Sequence, residues 1–246
     1  LDNNIKIGNS LIDNPDIAGY YSEFEGKIVS EILEKQADFL IDAEQLKKDK
    51  QDTESQFKKS LAFKWEKEFK EVFKEGGFDV VVGNPPYVFA RGGNFSDITK
   101  DYYYKNYKFT DYQINTYLLF IEQGCKLLNN GRLGFIVPNN WLTINTFANL
   151  RKFILEQTAD TVVINTFGNV FEGASVDSCI LTFVKDKVGQ EITLGKMIDG
   201  KIEAIVFNKN KIAIGDDKII NINQASNKNG FEIIKKINEK SVELEG

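Results

Sequence analysis

An apolar segment that ends in two consecutive prolines constrains the fold of this chain more than any other feature. Residues 78–82 read Phe-Asp-Val-Val-Val, and residues 83–87 read Gly-Asn-Pro-Pro-Tyr. A short, nearly continuous apolar run of this kind predicts a strand that is buried on both faces. Proline fixes φ and lacks the amide that strand pairing needs, and Pro86 also restricts Pro85 to the extended region. The sequence therefore predicts a buried strand over residues 78–83 that ends in a rigid, extended loop.

Predicted strands and helices alternate along most of the chain. A long helical insert is expected over about residues 20–75, because this stretch is rich in Glu and Lys and contains no proline. Further along, helices are predicted over residues 111–130 and 146–157, and strands over residues 133–137, 161–166 and 176–184. Such alternation predicts an α/β fold with a mainly parallel sheet, in which ligands lie at the C-terminal ends of the strands.

The sequence pattern changes after residue 188. Alternating apolar residues predict a small hairpin that turns at Asp199 and Gly200, and a short helix is predicted over residues 231–238. We therefore expect a catalytic core over residues 1–188, which includes the helical insert over about residues 20–75, and a separate C-terminal part over residues 189–246.

The composition excludes several kinds of catalysis. The chain has 246 residues and no histidine, which excludes Ser-His-Asp and Cys-His nucleophiles and most zinc chemistry. Cys125 and Cys179 are too few for a disulfide framework or a zinc site, so no metal is expected. No apolar run reaches the roughly 20 residues that cross a bilayer, and no signal peptide is expected. These features predict a cytoplasmic protein that does not associate with membranes.

Charge is unevenly distributed along the chain. The net charge of -5 argues against DNA binding over the whole surface. However, the segment after the two prolines is basic and aromatic. It contains phenylalanines and tyrosines over residues 95–109 together with Arg91, Lys100, Lys105 and Lys108. Basic residues interleaved with aromatic ones are typical of surfaces that bind splayed nucleic-acid strands. A half-buried, tyrosine-rich loop and helix at the rim of the fold explains the same residues equally well.

Several ordered motifs share one family resemblance. Residues 65–69 read Trp-Glu-Lys-Glu-Phe, and residues 84–87 read Asn-Pro-Pro-Tyr. Residues 115–122, 131–142 and 170–176 add a helix, a strand with its loop, and a turn in the same order. On these motifs the chain resembles the gamma class of adenine-N6 DNA methyltransferases in the type IIG restriction-modification family.

The resemblance implies a partial Rossmann-like fold and methyl transfer from S-adenosylmethionine to N6 of an adenine that has left the DNA helix. Asn84 and Pro85 would hold the amino group, and Pro86 would fix the direction of the Pro85 carbonyl. Tyr87 would stack on the flipped base. Phe171 would close the base pocket from the other side, although a core position at a turn also suits this phenylalanine.

Methylation of adenine needs residues of these types. The lone pair of the adenine amino group is delocalised into the ring, so the nitrogen is a poor nucleophile. The Asn84 side-chain oxygen and the Pro85 carbonyl can accept the two amino hydrogens and favour a tetrahedral nitrogen. Acceptors that are aimed before the reaction need little reorganisation, which is the main source of their catalytic value. No histidine is required, because the proton leaves to solvent once the nitrogen is cationic.

The resemblance also assigns part of a cofactor site. Phe120 would line the pocket for the adenine of S-adenosylmethionine, and a plain core position on its helix fits it equally well. Asn9 lies at the position where related enzymes have an acidic or amide residue against the same adenine. Ser10 departs from the family, which commonly has an aromatic residue there. The family's glycine-rich Gly-x-Gly turn does not occur in the chain.

The expected partners follow from the same resemblance. We expect an internal piece of a larger, bacterial-type enzyme that works with double-stranded DNA and with a cofactor-binding N-terminal part. We also expect a target-recognition domain of the same polypeptide, toward which the hairpin and helix of residues 189–246 lead. The isolated chain is expected to be inactive, because half of the cofactor site would be missing.

Two other functions fit the Asn-Pro-Pro-Tyr motif. Methyltransferases that act on a glutamine side chain of a protein or on an RNA base also use it. The helical insert and the Pro-Asn-Asn-Trp sequence at residues 138–141 favour DNA instead. The missing glycine-rich turn is also compatible with a catalytically silent piece that serves in assembly or DNA docking.

Overall fold

A computed structural model of the protein describes residues 10–14, 62–90, 95–110, 113–166, 177–198 and 200–221. The chain divides into two units, the first comprising Leu1–Phe78 and Pro86–Leu127 and the second comprising Asp79–Pro85 and Leu128–Gly246. One of the passages between the units therefore lies inside the Asn-Pro-Pro-Tyr sequence, between Pro85 and Pro86.

The first unit is helical in its described part. Its helices are α1 (Trp65–Glu68), α2 (Lys70–Lys74), α3 (Asp97–Asn106) and α4 (Thr116–Leu127). Ser96 caps the N-terminus of α3, and its side-chain oxygen accepts a hydrogen bond from the Thr99 amide at 3.1 Å. The predicted helical insert is thus confirmed over residues 65–74, with a break at Phe69. Residues 62–64 are not helical, and the part of the insert before residue 62 lies outside the described residues.

Aromatic side chains form much of the core of the first unit. Phe95, Tyr103 and Tyr107 pack with Leu11 and Leu119, and all five are nearly inaccessible to solvent. The Tyr107 hydroxyl donates to the Leu11 carbonyl at 2.8 Å, and burial raises the pKa of Tyr107 far above its ordinary value. A second group of rings packs mainly edge to face, with centroids 4.9–6.4 Å apart: Phe63, Trp65, Phe69, Phe73 and Phe78.

A six-stranded sheet with the strand order β1-β2-β4-β3-β5-β6 organises the second unit. Its strands are β1 (Phe78–Gly83), β2 (Leu128–Pro138), β3 (Thr158–Asn165), β4 (Ser178–Lys185), β5 (Glu191–Ile198) and β6 (Lys201–Asn208). The two-residue strands β7 (Ala213–Ile214) and β8 (Ile219–Ile220) pair separately. The helical elements are two 3₁₀ helices (Asn139–Leu142 and Asn145–Phe147), α5 (Ala148–Gln157) and α6 (Lys209–Ile212).

Strand directions in the sheet are mixed. Strand β4 pairs antiparallel with both β2 and β3, whereas β3 pairs parallel with β5 and β5 pairs antiparallel with β6. Strands β2, β3 and β5 therefore run in one direction, and β4 and β6 run in the other. The predicted α/β class is confirmed, and β2 and β3 share one direction, as a mainly parallel sheet requires. The parallel pairing of β5 with β3 was not predicted. The sequence did not predict that the strand over residues 176–184 would lie antiparallel between β2 and β3.

Strand β1 differs from its prediction in burial. It lies at one edge of the sheet, and Val80 and Val82 are 56% and 75% exposed. The prediction of burial on both faces is wrong for these side chains. An apolar run indicates that a strand is suited to burial, but the burial itself depends on the elements that pack around the strand. Within the described residues, β1 has a neighbouring strand on one side only.

The predicted hairpin near residue 199 is confirmed as β5 and β6. Its register pairs Ile198 with Lys201 next to the turn, and Gly200 adopts a φ of 74°, which suits glycine. Because β5 also pairs with β3, the hairpin extends the main sheet. The expected boundary at residue 188 stays a prediction. The predicted helix over residues 231–238 lies outside the described residues.

Candidate active site

The Asn-Pro-Pro-Tyr sequence of residues 84–87, here called the proline loop, follows β1 directly. Its four residues differ in exposure: Asn84 and Pro86 are exposed, Pro85 is buried, and Tyr87 is half-buried. Asn84 and Pro85 belong to the second unit, whereas Pro86 and Tyr87 belong to the first. The end of β1 therefore positions the Asn84 side chain, and residues of the first unit position the Tyr87 ring.

A short antiparallel ladder anchors residues 86–90 to residues 114–117 within the first unit. Phe89 lies opposite Asn115 in this ladder. On one side of this pair, the Ala90 amide donates to the Ile114 carbonyl at 3.0 Å. On the other side, the Thr116 amide donates to the Val88 carbonyl, also at 3.0 Å. Residues 114–117 lead directly into α4. This helix therefore sets the position of the backbone that follows Tyr87.

The Tyr87 ring packs against the first turn of α4. Its centroid lies 6.4 Å from the centroid of the Tyr117 ring, and the two ring planes cross at 86°. Tyr117 is fully buried and provides a fixed support, whereas Tyr87 keeps part of its ring accessible. An edge-to-face arrangement of this kind is favourable for aromatic pairs. The part of the Tyr87 ring that stays accessible is therefore an aromatic surface within the proline loop, and Tyr117 holds it in position.

Three further site residues were predicted, and the structure describes one of them. Asn9 and Phe171 lie outside the described residues. Phe120 lies on α4 and packs, partly buried, against the core of the first unit. Its neighbours Leu119 and Ile121 are fully buried, so Phe120 is the position in this stretch that retains accessible ring surface. A flat ligand could contact that surface.

Asn115 is a feature of the site that the sequence did not reveal. The side chain is fully buried between the ladder and α4, and neither its Nδ2 nor its Oδ1 atom has a hydrogen-bond partner among the described residues. A buried amide in this state costs about 1–3 kcal/mol. An asparagine in front of an apolar helix normally indicates a helix cap, and this is why its burial could not be foreseen.

A second group of polar residues lies at the C-terminal ends of β2 and β3. The Asn139 side-chain amide donates to the Asn165 side-chain oxygen at 3.3 Å. The Asn139 backbone amide also donates to the Asp177 carbonyl at 3.0 Å. These bonds connect the loop after β2 with the C-terminal end of β3 and with the residue that precedes β4. In sheets of this class, ligands usually lie at the C-terminal ends of the parallel strands.

Arg151 also holds the loop after β2 in place, and the sequence did not predict this role. Its guanidinium group is fully buried and donates to the carbonyls of Trp141 at 2.5 Å, Ile144 at 2.7 Å and Asp217 at 2.8 Å. One side chain of α5 therefore connects the loop after β2 with the turn between β7 and β8. Arginine on a helix is normally exposed, so no sequence signal marks it as buried.

The basic and aromatic segment after the proline loop contributes mainly to the core. Phe95, Tyr103 and Tyr107 are buried, and Tyr104 is 48% exposed. Lys100 forms an ion pair with Asp97 at 3.0 Å on the same helix. Of the two interpretations of this segment, the structure supports the tyrosine-rich helix at the rim for the three buried rings. These rings are not available to stack on a nucleic-acid strand.

A polar cavity of about 200 Å³ lies in the first unit next to Ser10. The Tyr102 hydroxyl donates to the Asp13 carboxylate there at 2.6 Å, and burial raises the pKa of Tyr102 to about 12. Neither Tyr87 nor Phe120 lines this cavity. It is therefore separate from the surfaces that we predict for the target base and the cofactor.

Other kinds of site are not found in the part of the chain that the structure describes. Within it, no group of three or more His, Cys, Asp or Glu residues is arranged to hold a metal ion. Among the described residues, no helix has both the length and the apolar character that crossing a membrane requires. Burial raises the pKa of the Cys179 thiol to about 12, so this cysteine is no nucleophile near neutral pH.

Several curated proteins are similar to the chain. RM.MjaORFECS2P of Methanocaldococcus jannaschii is 34% identical over 169 residues, which cover 68% of this chain and 14% of the relative. The type II restriction enzyme and methyltransferase RM.Eco57I of Escherichia coli is 34% identical over 113 residues, which cover 44% of this chain and 11% of the relative. The type II methyltransferase M.TthHB8I of Thermus thermophilus is 33% identical over 118 residues, which cover 46% of this chain and 27% of the relative. The chain thus spans a small part of the length of each relative.

Solved structures of other proteins are also similar to the chain, at lower sequence identity. The type IIG restriction endonuclease BpuSI is 20% identical, with a TM-score of 0.44 over 54% of this chain and 19% of that chain. The type ISP restriction-modification enzyme LlaBIII is 15% identical, with a TM-score of 0.45 over 63% of this chain and 13% of that chain.

A family model extends over most of the motifs that carry the resemblance. The model described as Eco57I restriction-modification methylase matches residues 20–171, which is more than half of the chain. The predicted resemblance to restriction-modification methyltransferases is confirmed, whereas the gamma class and the type IIG assignment stay predictions. The chain belongs to the Eco57I restriction-modification methylase family.

Proposed function

We propose that this chain carries the catalytic loop of a site-specific DNA methyltransferase, which transfers a methyl group to N6 of a flipped-out adenine within a restriction-modification enzyme. The proline loop is the observation that carries the proposal. It presents the exposed Asn84 side chain at the end of β1, and Tyr87 follows with its ring supported by Tyr117. Family membership supports methyl transfer in a restriction-modification system. The choice of adenine rests on the chemistry of the loop.

The proposed role of Asn84 and Pro85 is to accept the two hydrogens of the adenine amino group. Asn84 offers its side-chain oxygen in an exposed position, where a base that has left the helix can reach it. Pro85 is buried and offers a backbone carbonyl whose direction is restricted by Pro86. Two fixed acceptors would localise the nitrogen lone pair and increase its nucleophilicity. The product proton would leave to solvent.

Tyr87 is proposed to stack on the flipped base, with Phe171 on the opposite face. The structural support for Tyr87 is its half-buried ring, which Tyr117 holds from one side. Stacking on an aromatic side chain contributes roughly 1–3 kcal/mol per base. Stacking would thus hold the amino group of an extrahelical adenine near the two proposed acceptors, the Asn84 side-chain oxygen and the Pro85 carbonyl.

S-adenosylmethionine would supply the methyl group as an electrophile. Among the described residues, Phe120 fits a contact with the adenine of this cofactor, because its ring is only partly covered by the core. Asn9 is proposed as the second contact. Double-stranded DNA is the proposed partner, together with a cofactor-binding part and a target-recognition domain of the same polypeptide.

Product analysis after methyl transfer tests the proposal directly. The full-length protein would be incubated with unmethylated phage DNA and S-adenosylmethionine that is tritiated in the methyl group, and the digested nucleosides would be separated by chromatography. We expect the label in N6-methyladenine, and sequencing of the methylated DNA would then give the recognition site. Label in cytosine only, or in RNA or protein but not in DNA, would overturn the proposal.

Replacement of Tyr87 is expected to weaken the binding of the target base. Tyr87→Ala should lower the affinity for a duplex with an unpaired target adenine by about 1–3 kcal/mol, and Tyr87→Leu should retain part of it. Fluorescence anisotropy titrations would measure both. Tyr104→Ala is a matched control, since Tyr104 is an exposed tyrosine of the same unit. Unchanged affinity of Tyr87→Ala would contradict the stacking role.

A further inference from the structure

The Thr116 side chain connects the residues on either side of Tyr87. Its hydroxyl group donates to the Pro86 carbonyl and accepts a hydrogen bond from the Val88 amide at 2.9 Å. The Thr116 backbone amide donates to the Val88 carbonyl at 3.0 Å. Only 6% of Thr116 is exposed, so water has little access to this arrangement.

These bonds leave the Tyr87 backbone little freedom. The carbonyl before Tyr87 and the amide after it are held by the same oxygen atom, which restricts both backbone dihedral angles of the residue between them. The next residue of α4, Tyr117, contacts the ring itself. Two consecutive residues at the start of α4 therefore hold the backbone and the side chain of Tyr87.

We propose that Thr116 is a positioning residue that aims the Tyr87 ring at the target base, an inference that rests on the function proposed above for the proline loop. Thr116 would not touch the base or the cofactor. It would act through Tyr87, by keeping one backbone conformation during the interval in which the base is bound. A threonine that only filled space could be replaced by valine, which has nearly the same shape, without consequence.

Three variants separate this role from simple packing. Thr116→Val keeps the volume and removes the hydroxyl group, whereas Thr116→Ser keeps the hydroxyl group. Thr110→Val is the matched control: Thr110 is 2% exposed in the same unit, and its hydroxyl group donates to the Tyr107 carbonyl at 2.9 Å, away from the proline loop. Thr116→Cys, whose thiol is a weak donor, gives a second comparison with Thr116→Ser if the valine variant does not fold.

Hydrogen exchange in the full-length protein without DNA provides the first readout. Thr116→Val should accelerate exchange of the Val88 amide by about 10-fold or more, because that amide loses its side-chain acceptor. Thr116→Ser should restore the protection, and Thr110→Val should leave it unchanged. Unaltered exchange of Val88 in Thr116→Val would overturn the inference independently of any activity.

Steady-state kinetics on unmethylated phage DNA provide the second readout. Thr116→Val should lower kcat by about 10-fold or more, with the KM for S-adenosylmethionine unchanged, because a misaimed ring affects the base and not the cofactor. Thr116→Ser should restore kcat. If wild type forms N6-methyladenine and Thr116→Val matches Thr110→Val in kcat, the role of Thr116 is refuted while the proposed function stands. If wild type forms no N6-methyladenine, the proposed function itself fails.

Discussion

Replacement of Asn84 by alanine is expected to lower kcat for DNA methylation by about 100-fold or more, which is the usual cost of losing one fixed acceptor or donor for a developing charge. The fold should survive, because Asn84 is exposed and substitutions at such positions usually change stability by less than about 0.5 kcal/mol. Tritium transfer to unmethylated phage DNA would measure the rate. Thermal unfolding would measure the stability.

A matched variant and a conservative variant sharpen this experiment. Asn129→Ala removes an exposed asparagine at the opposite end of the neighbouring strand β2 and should leave the rate unchanged. Asn84→Gln keeps the amide but moves its oxygen by one methylene, so it should remain strongly impaired if position matters. A near-normal rate for Asn84→Ala would show that the proline loop does not activate the amino group.

Replacement of Gly131 by alanine is expected to destabilise the protein by about 3 kcal/mol or more. A Cβ atom at this position would lie 2.1 Å from the carbonyl oxygen of Asp79 and 2.6 Å from its carbonyl carbon. Both are backbone atoms of β1, so the clash can be relieved only by separating β1 from β2. Because β1 ends at the proline loop, activity should fall together with stability. Chemical denaturation would give the change in the free energy of unfolding.

Gly134→Ala on the same strand is the control for Gly131→Ala. There the added Cβ atom would lie 3.5 Å from the nearest atom, a methyl group of Val82, which is ordinary van der Waals contact. We expect its stability to remain within about 0.5 kcal/mol of wild type, as is usual for a substitution without a clash. Similar unfolding midpoints for the two alanine variants would mean that β1 and β2 do not approach as closely as described.

The parts of the site that could be predicted from sequence are those with local causes. Two prolines after an apolar run restrict their own dihedral angles whatever surrounds them, so the loop at residues 84–87 follows from residue chemistry alone. The same is true of the hairpin turn at Gly200, where a positive φ favours glycine. The structure has a loop at residues 84–87 and a positive φ at Gly200, whereas the restricted dihedral angles of the loop stay a prediction.

The remaining features depend on residues that are distant in sequence. The hydroxyl group of Thr116 reaches a carbonyl 30 positions away, and Arg151 reaches one 66 positions away. Nothing in the pattern around either residue indicates such a partner. The exposure of Val82 has the same origin, since the place of β1 at the edge of the sheet is decided by the pairing of strands and not by the composition of β1.

The strand order also determines when the sheet can assemble during protein synthesis. Strands β2 and β3 are not bonded to each other; each is bonded to β4, which follows both of them in the chain. As the chain leaves the ribosome, β2 can pair with β1 on one edge, but the edge of β2 and the edge of β3 that face β4 stay unpaired until Ser178–Lys185 has emerged. Open strand edges are the sites at which nascent chains associate wrongly. The central part of this sheet can consequently form only after Ser178–Lys185 has been synthesised, when one antiparallel strand pairs with both β2 and β3.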